Sequence, residues 1–166
     1  MIERCCAFTG HRPKKFPWGY NEADARCVAL KRAFAGEIAK LVNAGYTDFF
    51  SVMAEGADTW AALAVLALKK ENPALKLHCI LPCEGQADGW SVSARELHFL
   101  ILEQADEVVY VSREYCEDCV LECNRYRVDH AVCLLAVYNG EWRGETAMTV
   151  RYARKMEREI IILPPI

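Results

Sequence analysis

A chain of 166 residues is long enough for one domain with a full hydrophobic core. Its 53% hydrophobic and 26% charged residues exclude a disordered chain, and its apolar runs are too short to span a bilayer. Twenty Lys and Arg against 23 Asp and Glu leave a net charge of −3, which argues against nucleic acid as a partner held by bulk charge.

The opening Met1-Ile2-Glu3-Arg4-Cys5-Cys6 lacks a charged segment leading into an apolar one, so the expectation is a cytoplasmic protein with no membrane insertion. Nine cysteines, an odd number, then read mainly as thiols in a reducing compartment. Those in Leu77-His78-Cys79-Ile80-Leu81 and Ala131-Val132-Cys133-Leu134-Leu135 behave as small hydrophobes.

In chain order, nearly continuous apolar runs predict strands over 5–9, 48–53, 76–81, 107–111, 131–138 and 159–163. Helical spacing fills the gaps. Cys27, Leu30, Phe34, Ile38 and Leu41 share one face, with Gly45 as a stop. Asp58 or Thr59 caps a helix that runs to Lys70, and Pro73 lies past its end. Ser93 and Glu96 have capping-box spacing for a helix to Glu103. Further helices are predicted over 117–128 and 146–157. The alternation predicts an α/β fold: a single Rossmann-like, doubly wound domain over residues 1–166, with a mainly parallel sheet of about six strands.

In such a sheet, ligands bind beyond the carboxyl ends of the strands, beside helix N-termini. Those ends carry Thr9-Gly10-His11-Arg12-Pro13-Lys14-Lys15, Ala54-Glu55-Gly56-Ala57-Asp58, Pro82-Cys83-Glu84-Gly85-Gln86 with Trp90 close behind, and Asn139 through Thr146. Gly10, Gly56 and Gly144 permit close backbone approach to an anion, Thr9 and Thr146 offer hydroxyls, and Arg12 offers a fork for phosphate. Trp90 can stack on a ring. Each also has a bland reading as a turn residue, a solvated charge or a core aromatic. The gathering of such loops on one edge is what favours a pocket.

Thr9-Gly10-His11-Arg12-Pro13, Gly56-Ala57-Asp58-Thr59-Trp60-Ala61-Ala62, Pro82 with Gln86 and Trp90, Asn124-Arg125 with Val128-Asp129, and Gly144 through Val150 occur in that order. Together they resemble the YpsA-like branch of the SLOG superfamily, the Rossmann-like group that includes the DNA-processing protein DprA and the LOG phosphoribohydrolases. The resemblance implies a bacterial protein that binds a nucleotide or a nucleotide-derived ligand such as an ADP-ribose, NAD or nucleoside-phosphate-like molecule; a sensing or regulatory role is expected because no complete catalytic constellation can be named in the sequence. It implies ligand contacts from Thr9, Gly10, His11, Arg12, Gly56, Ala57, Asp58, Gln86, Trp90, Asn124, Arg125, Gly144 and Thr146, and no certain cofactor. Two departures matter. Val52 stands at the first glycine of the branch's G-x-A-x-G-x-D pattern, removing backbone freedom, and Glu145 replaces the second glycine of its G-G-T. A carboxylate there competes with phosphate for helix amides, so the cradle is altered or the ligand less anionic.

The resemblance also carries an alternative, an N-glycosidase or glycosyl transferase acting on a nucleoside or nucleotide. Thr149 stands where LOG enzymes have a glutamate, so a catalytic carboxylate would have to come from Glu145 or Glu55, with Asp58 kept as an N-cap. A third reading is metal binding by the C-x-x-C-x-x-x-C run Cys116, Cys119 and Cys123, whose spacing also suits a buried helix face. His11 is the one histidine expected in the pocket; His78 and His98 read as structural, and His130 stays open. Arg125 either orients a ligand or pairs with Asp129. Arg12, Lys14 and Lys15 followed by Phe16, Trp18 and Tyr20 read as a stacking groove or as a lid. Trp142 and Tyr152 are candidates for a homo-oligomer face.

Overall fold

Strands and helices alternate along residues 4–165, the part of the chain that the computed structural model describes. They are β1 (Cys5–Gly10), α1 (Ala25–Asn43), β2 (Asp48–Ser51), α2 (Ala57–Lys69), β3 (Lys76–Leu81), α3 (Val92–Gln104), β4 (Glu107–Tyr110), α4 (Cys119–Asp129), β5 (Cys133–Val137), α5 (Glu145–Lys155) and β6 (Glu159–Leu163). The strands form one six-stranded sheet in the order β4-β3-β2-β1-β5-β6, every pairing parallel. The fold is α/β, as the alternation predicts.

Strand periodicity sorts the core into two layers. Cys6, Phe8, Phe49, Leu77, Cys79, Leu81, Cys133 and Leu135 point to one face and pack with Phe34, Ile38, Trp60 and Val65 of α1 and α2. The alternate residues Cys5, Ala7, Phe50, Ile80, Leu134 and Ala136 face Cys123, Val128, Ala147 and Val150 of α4 and α5. Phe8 is the hub of the first layer, stacked on Phe49 at 5.7 Å and edge-on to Phe34 at 5.9 Å.

The helix starts differ in detail from the pattern in the sequence. Asp24 caps α1, accepting from the Arg26 N–H at 2.9 Å. For α3 the cap is Ser91, which accepts from the Ala94 N–H at 3.2 Å; Ser93 lies inside the first turn. Gly56, and neither Asp58 nor Thr59, caps α2. The second strand ends at Ser51 rather than Met53 because the Ser51 hydroxyl accepts from the Met53 N–H and donates to the Asp58 carbonyl, both at 3.1 Å. That turn puts Met53, not Val52, in the left-handed region (φ 61°), a strained conformation held by complete burial.

His78 takes the structural place expected of it, bridging Asp48 at 2.7 Å and Glu107 at 2.9 Å across β2, β3 and β4. His98 is buried edge-on to Trp90. His130 follows the last turn of α4, its ring stacked on Tyr126 and its Nδ1 2.8 Å from the Tyr126 carbonyl, remote from the sheet's carboxyl edge. No helix among the described residues is long and apolar enough to cross a membrane.

Candidate functional site

Strand order reverses between β1 and β5. The chain leaves β1 towards β2, β3 and β4 on one side and returns to β5 and β6 on the other. The loops after β1 and β5 therefore part, leaving a crevice at the carboxyl edge. A cavity of about 270 Å³ fills it. Its walls come from Thr9 through Arg12 with Lys14 and Lys15, from Val52, Ala54 and Asp58, from Asn124 and Arg127 on α4, and from Glu141 and Gly144 through Thr146.

Two glycines make the crevice this shape. A Cβ on Gly10 would lie 2.4 Å from the Ala57 Cβ, so α2 could not approach β1 this closely with any other residue. Gly56 has φ +90°, and a Cβ there would lie 2.7 Å from the His11 carbonyl oxygen. Gly56 and Ala57 line no part of this cavity; they fix how α2 enters it. Gly144 caps α5, whose first turn carries Thr146 into the wall.

At the inner wall lies a buried ion pair. Arg127 Nη1 donates to Asp58 Oδ2 at 3.1 Å, and its Nη2 donates to Thr9 Oγ1 at 3.0 Å and to Asn124 Oδ1 at 2.7 Å. The Arg127 and Asp58 side chains are only 4% and 3% exposed. Burial pushes the Asp58 carboxyl up from its ordinary value, against the pull of the Arg127 and Arg12 guanidinium groups. Asp58 Oδ1 and Arg127 Nε have no hydrogen-bond partner among the described residues. Both atoms are closed off from solvent, and the Ala54 backbone N–H also pulls the Asp58 pKa down, so the pair braces the wall rather than offering free groups to the cavity.

Arg127 escaped the sequence analysis. The signal was its place at four-residue spacing after Cys119 and Cys123, a stripe whose members are all buried. Asp58 is the reason a charge can occupy that stripe.

The outer rim is exposed and differently built. Arg12 Nη2 meets Glu145 Oε2 at 2.8 Å, and Lys15 Nζ meets Glu141 Oε1 at 2.8 Å. The Arg12 and Glu145 side chains are 52% and 51% exposed. The lysine holds the Glu141 carboxyl below its usual value. Between rim and wall sits His11, whose Nε2 accepts the Asn139 N–H at 3.1 Å. That bond requires the neutral ring with its proton on Nδ1, and burial lowers its pKa accordingly. His11 ties the loops after β1 and β5 together.

Several predicted contacts lie elsewhere. Gln86 and Trp90 line an adjoining groove with Arg12, Lys14, Tyr20, Glu55 and Tyr115, and Gln86 Nε2 donates to the Val52 carbonyl at 3.1 Å. Glu55 belongs to that groove rather than to the inner cavity, and burial raises its pKa. Neither carboxylate singled out for catalysis is therefore loose in the cavity, Glu145 being held by Arg12. Arg125 does not pair with Asp129. It lies 5.5 Å over the Tyr152 ring, whose hydroxyl donates to Asp129 at 2.6 Å, and it faces a separate cleft between α4 and α5. Phe16 and Trp18 form no stacking groove, because they stack on each other at 4.8 Å and are buried against Trp60; only Tyr20 is exposed.

The cysteine cluster does not converge as a metal site. Cys116 and Cys119 form a disulfide, Cys123 is buried in the α4–α5 core layer, and no metal-holding group of His, Cys, Asp or Glu occurs among the described residues.

Comparison with known proteins fits this geometry. A model of the YpsA family, described as the YspA SLOG family, matches residues 6–162. The chain belongs to this family. UPF0398 proteins of Bacillus thuringiensis (strain Al Hakam) and Bacillus cereus (strain Q1) are each 31% identical to it over 153 residues, covering 90% of this chain and 82% of theirs. Among solved structures, this YpsA-family fold resembles DprA of Helicobacter pylori (TM-score 0.66, 15% identity) and DprA of Streptococcus pneumoniae (TM-score 0.59, 12% identity). The matches cover 98% and 95% of this chain but 66% and 50% of those. The Helicobacter structure is described by its single-stranded DNA binding mode. That finding overturns the argument from net charge against nucleic acid. The charge of a whole chain averages over its surface, whereas binding is decided locally, and here Arg12, Lys14 and Lys15 stand together at the carboxyl edge.

Proposed function

We propose that this YpsA-family protein binds a nucleotide or nucleotide-derived ligand at the carboxyl edge of its sheet, and that it acts as a sensor or regulator. The carrying observation is the cavity at the strand-order reversal, whose inner wall is braced by the buried Asp58–Arg127 pair and whose mouth carries Arg12, Lys14 and Lys15. The Thr9 and Thr146 hydroxyls at the cavity wall are groups that can hydrogen-bond a ribose or a phosphate. Thr9, Gly10, Gly144 and Thr146 surround the sugar and its phosphate, next to the N-terminus of α5. The neighbouring groove, with Trp90, Tyr20 and Tyr115, offers faces on which a base can stack.

Single-stranded DNA binding by the Helicobacter fold neighbour supports a ligand of the nucleotide class, presented free or at a strand. Binding is favoured over glycosidic cleavage because the carboxylates that reach the cavity, Asp58, Glu141 and Glu145, are all engaged in ion pairs.

Native mass spectrometry of freshly purified protein tests this, followed by identification of released molecules and thermal shifts with AMP, ADP-ribose, NAD and a short oligothymidine. The expected result is a co-purifying nucleotide-type mass, or stabilisation by at least one of these probes. An apo protein stabilised by none of them contradicts the reading.

A further inference from the structure

One feature outside the cavity is the Cys116–Cys119 disulfide at the start of α4. Its two halves are unequally placed. Cys116 lies exposed in the segment 112–118, whereas Cys119 is fully buried as the first residue of the helix. The other seven cysteines are all buried. A C-x-x-C pair with an outer sulfur open to attack and an inner sulfur shielded in a helix's first turn has the arrangement thiol–disulfide exchange needs. We propose that Cys116–Cys119 is a reversible redox pair that reacts with dithiol reductants, and that its state controls the order of segment 112–118.

A thiolate of the dithiol attacks the exposed Cys116 Sγ, forming a mixed disulfide and releasing Cys119 Sγ as a thiolate. The second thiol of the reductant, on losing its proton, attacks its own mixed-disulfide sulfur, forming the cyclic disulfide and releasing Cys116. Two electrons pass to the protein, and both cysteines end as thiols after taking up two protons. The released Cys119 thiol has an acceptor at hand, the Glu114 carbonyl 3.8 Å away. Glu114, Glu117, Asp118 and Glu122 flank the pair in sequence against Arg113 alone, a local acidic excess that favours an uncharged dithiol over an anionic thiol as its reductant.

The segment matters because of what it carries. Its entry is pinned by the Ser112 N–H to the Pro82 carbonyl at 3.1 Å; beyond the weaker Glu84 N–H to Arg113 carbonyl contact at 3.4 Å, its exposed end is tied to α4 by the disulfide and by one backbone bond, the Cys119 N–H to the Cys116 carbonyl at 3.3 Å. Tyr115, between these ties, walls the groove that also holds Trp90 and Arg12. Reduction removes the covalent tie at Cys116 and leaves single hydrogen bonds and little buried surface to hold a short exposed segment, the composition of a region that opens locally.

The proposal stands independently of the ligand. Its test uses full-length protein equilibrated with reduced and oxidised dithiothreitol, acid-quenched for differential alkylation and, in parallel, for hydrogen exchange. Cys116 and Cys119 are expected to titrate together as one two-electron couple, with exchange at 112–118 roughly tenfold faster in the reduced state. In Cys116→Ser, an exposed change that leaves the core intact, exchange at 112–118 should be fast in both buffers. Alkylation of Cys116 in the oxidised buffer, or equal exchange of 112–118 in both wild-type states, overturns the proposal.

Discussion

The cavity is bounded by two ion pairs of similar length that do different work. At the inner wall Arg127 meets Asp58 at 3.1 Å with both side chains nearly inaccessible; at the rim Arg12 meets Glu145 at 2.8 Å with about half of each side chain in water. Distance does not separate them; solvent does. The inner charges cannot be rehydrated if one partner is lost, so the pair is part of the fold. The rim charges are screened and separable, so they can exchange partners when an anion arrives. A site that must stay shaped and still admit a charged ligand needs both kinds.

The strongest way to break this comparison is at the inner pair. Arg127→Ala strands the Asp58 carboxylate and should cost about 3–5 kcal/mol of folding stability, read by chemical denaturation. A milder loss on adding Asp58→Leu to that variant would confirm that the stranded charge, and not the lost packing, carries the cost. Next comes the hinge of the inner wall. Gly56→Ala forces a side chain into a positive-φ position against the His11 carbonyl and should cost on the order of 1–3 kcal/mol. A near-neutral Gly56→Ala would show that α2 can shift, and that the crevice is not fixed by that turn.

A pH series probes the residues behind the rim. Burial lowers the pKa of His11 and of His98 below the ordinary 6.5. The unfolded chain therefore binds more protons than the native one below that value. Stability should be fully present above about pH 6.5 and decline as pH falls through the folded pKa values. Ring-nitrogen chemical shifts that show a doubly protonated His11 in the folded protein at about pH 6.5 would contradict the neutral His11 assigned from its bond to Asn139.

The smallest stability effect belongs to the rim. Arg12→Ala should change stability by about 1 kcal/mol or less, while weakening any phosphate-bearing ligand that stabilises the wild type. Glu145→Gln removes the internal competitor for Arg12 and should tighten the same ligand by roughly fivefold, measured by calorimetric titration.

The layered fold was legible because its determinants are local. Apolar strands, helical stripes and glycine-bearing turns each report their own element, and the carboxyl-edge loops follow from topology. The site was legible only as a neighbourhood. Thr9, Gly10, His11, Arg12, Asp58, Asn124, Gly144 and Thr146 all reach the inner cavity, whereas Gln86, Trp90 and Glu55 fall in the adjoining groove and Arg125 turns to the cleft between α4 and α5. The difference between Arg125 and Arg127 is two residues on a helix, or about 200° of rotation. A buried arginine is recognisable only when its partner is known, and Asp58 lies 69 residues away in the chain. The cysteine run was ambiguous for a related reason, since spacing along the chain cannot tell two sulfurs that bond each other from three that share a metal.

Chemical-shift mapping of isotopically labelled protein titrated with ADP-ribose tests the central claim most directly. The account predicts perturbations concentrated at Thr9 through Arg12, at Asp58, at Asn124 and Arg127, and at Gly144 through Thr146, all absent in Arg12→Ala at the same ligand concentration. Saturable shifts confined to the cleft between α4 and α5, around Arg125 and Tyr152, or shifts at the cavity that persist unchanged in Arg12→Ala, would contradict it.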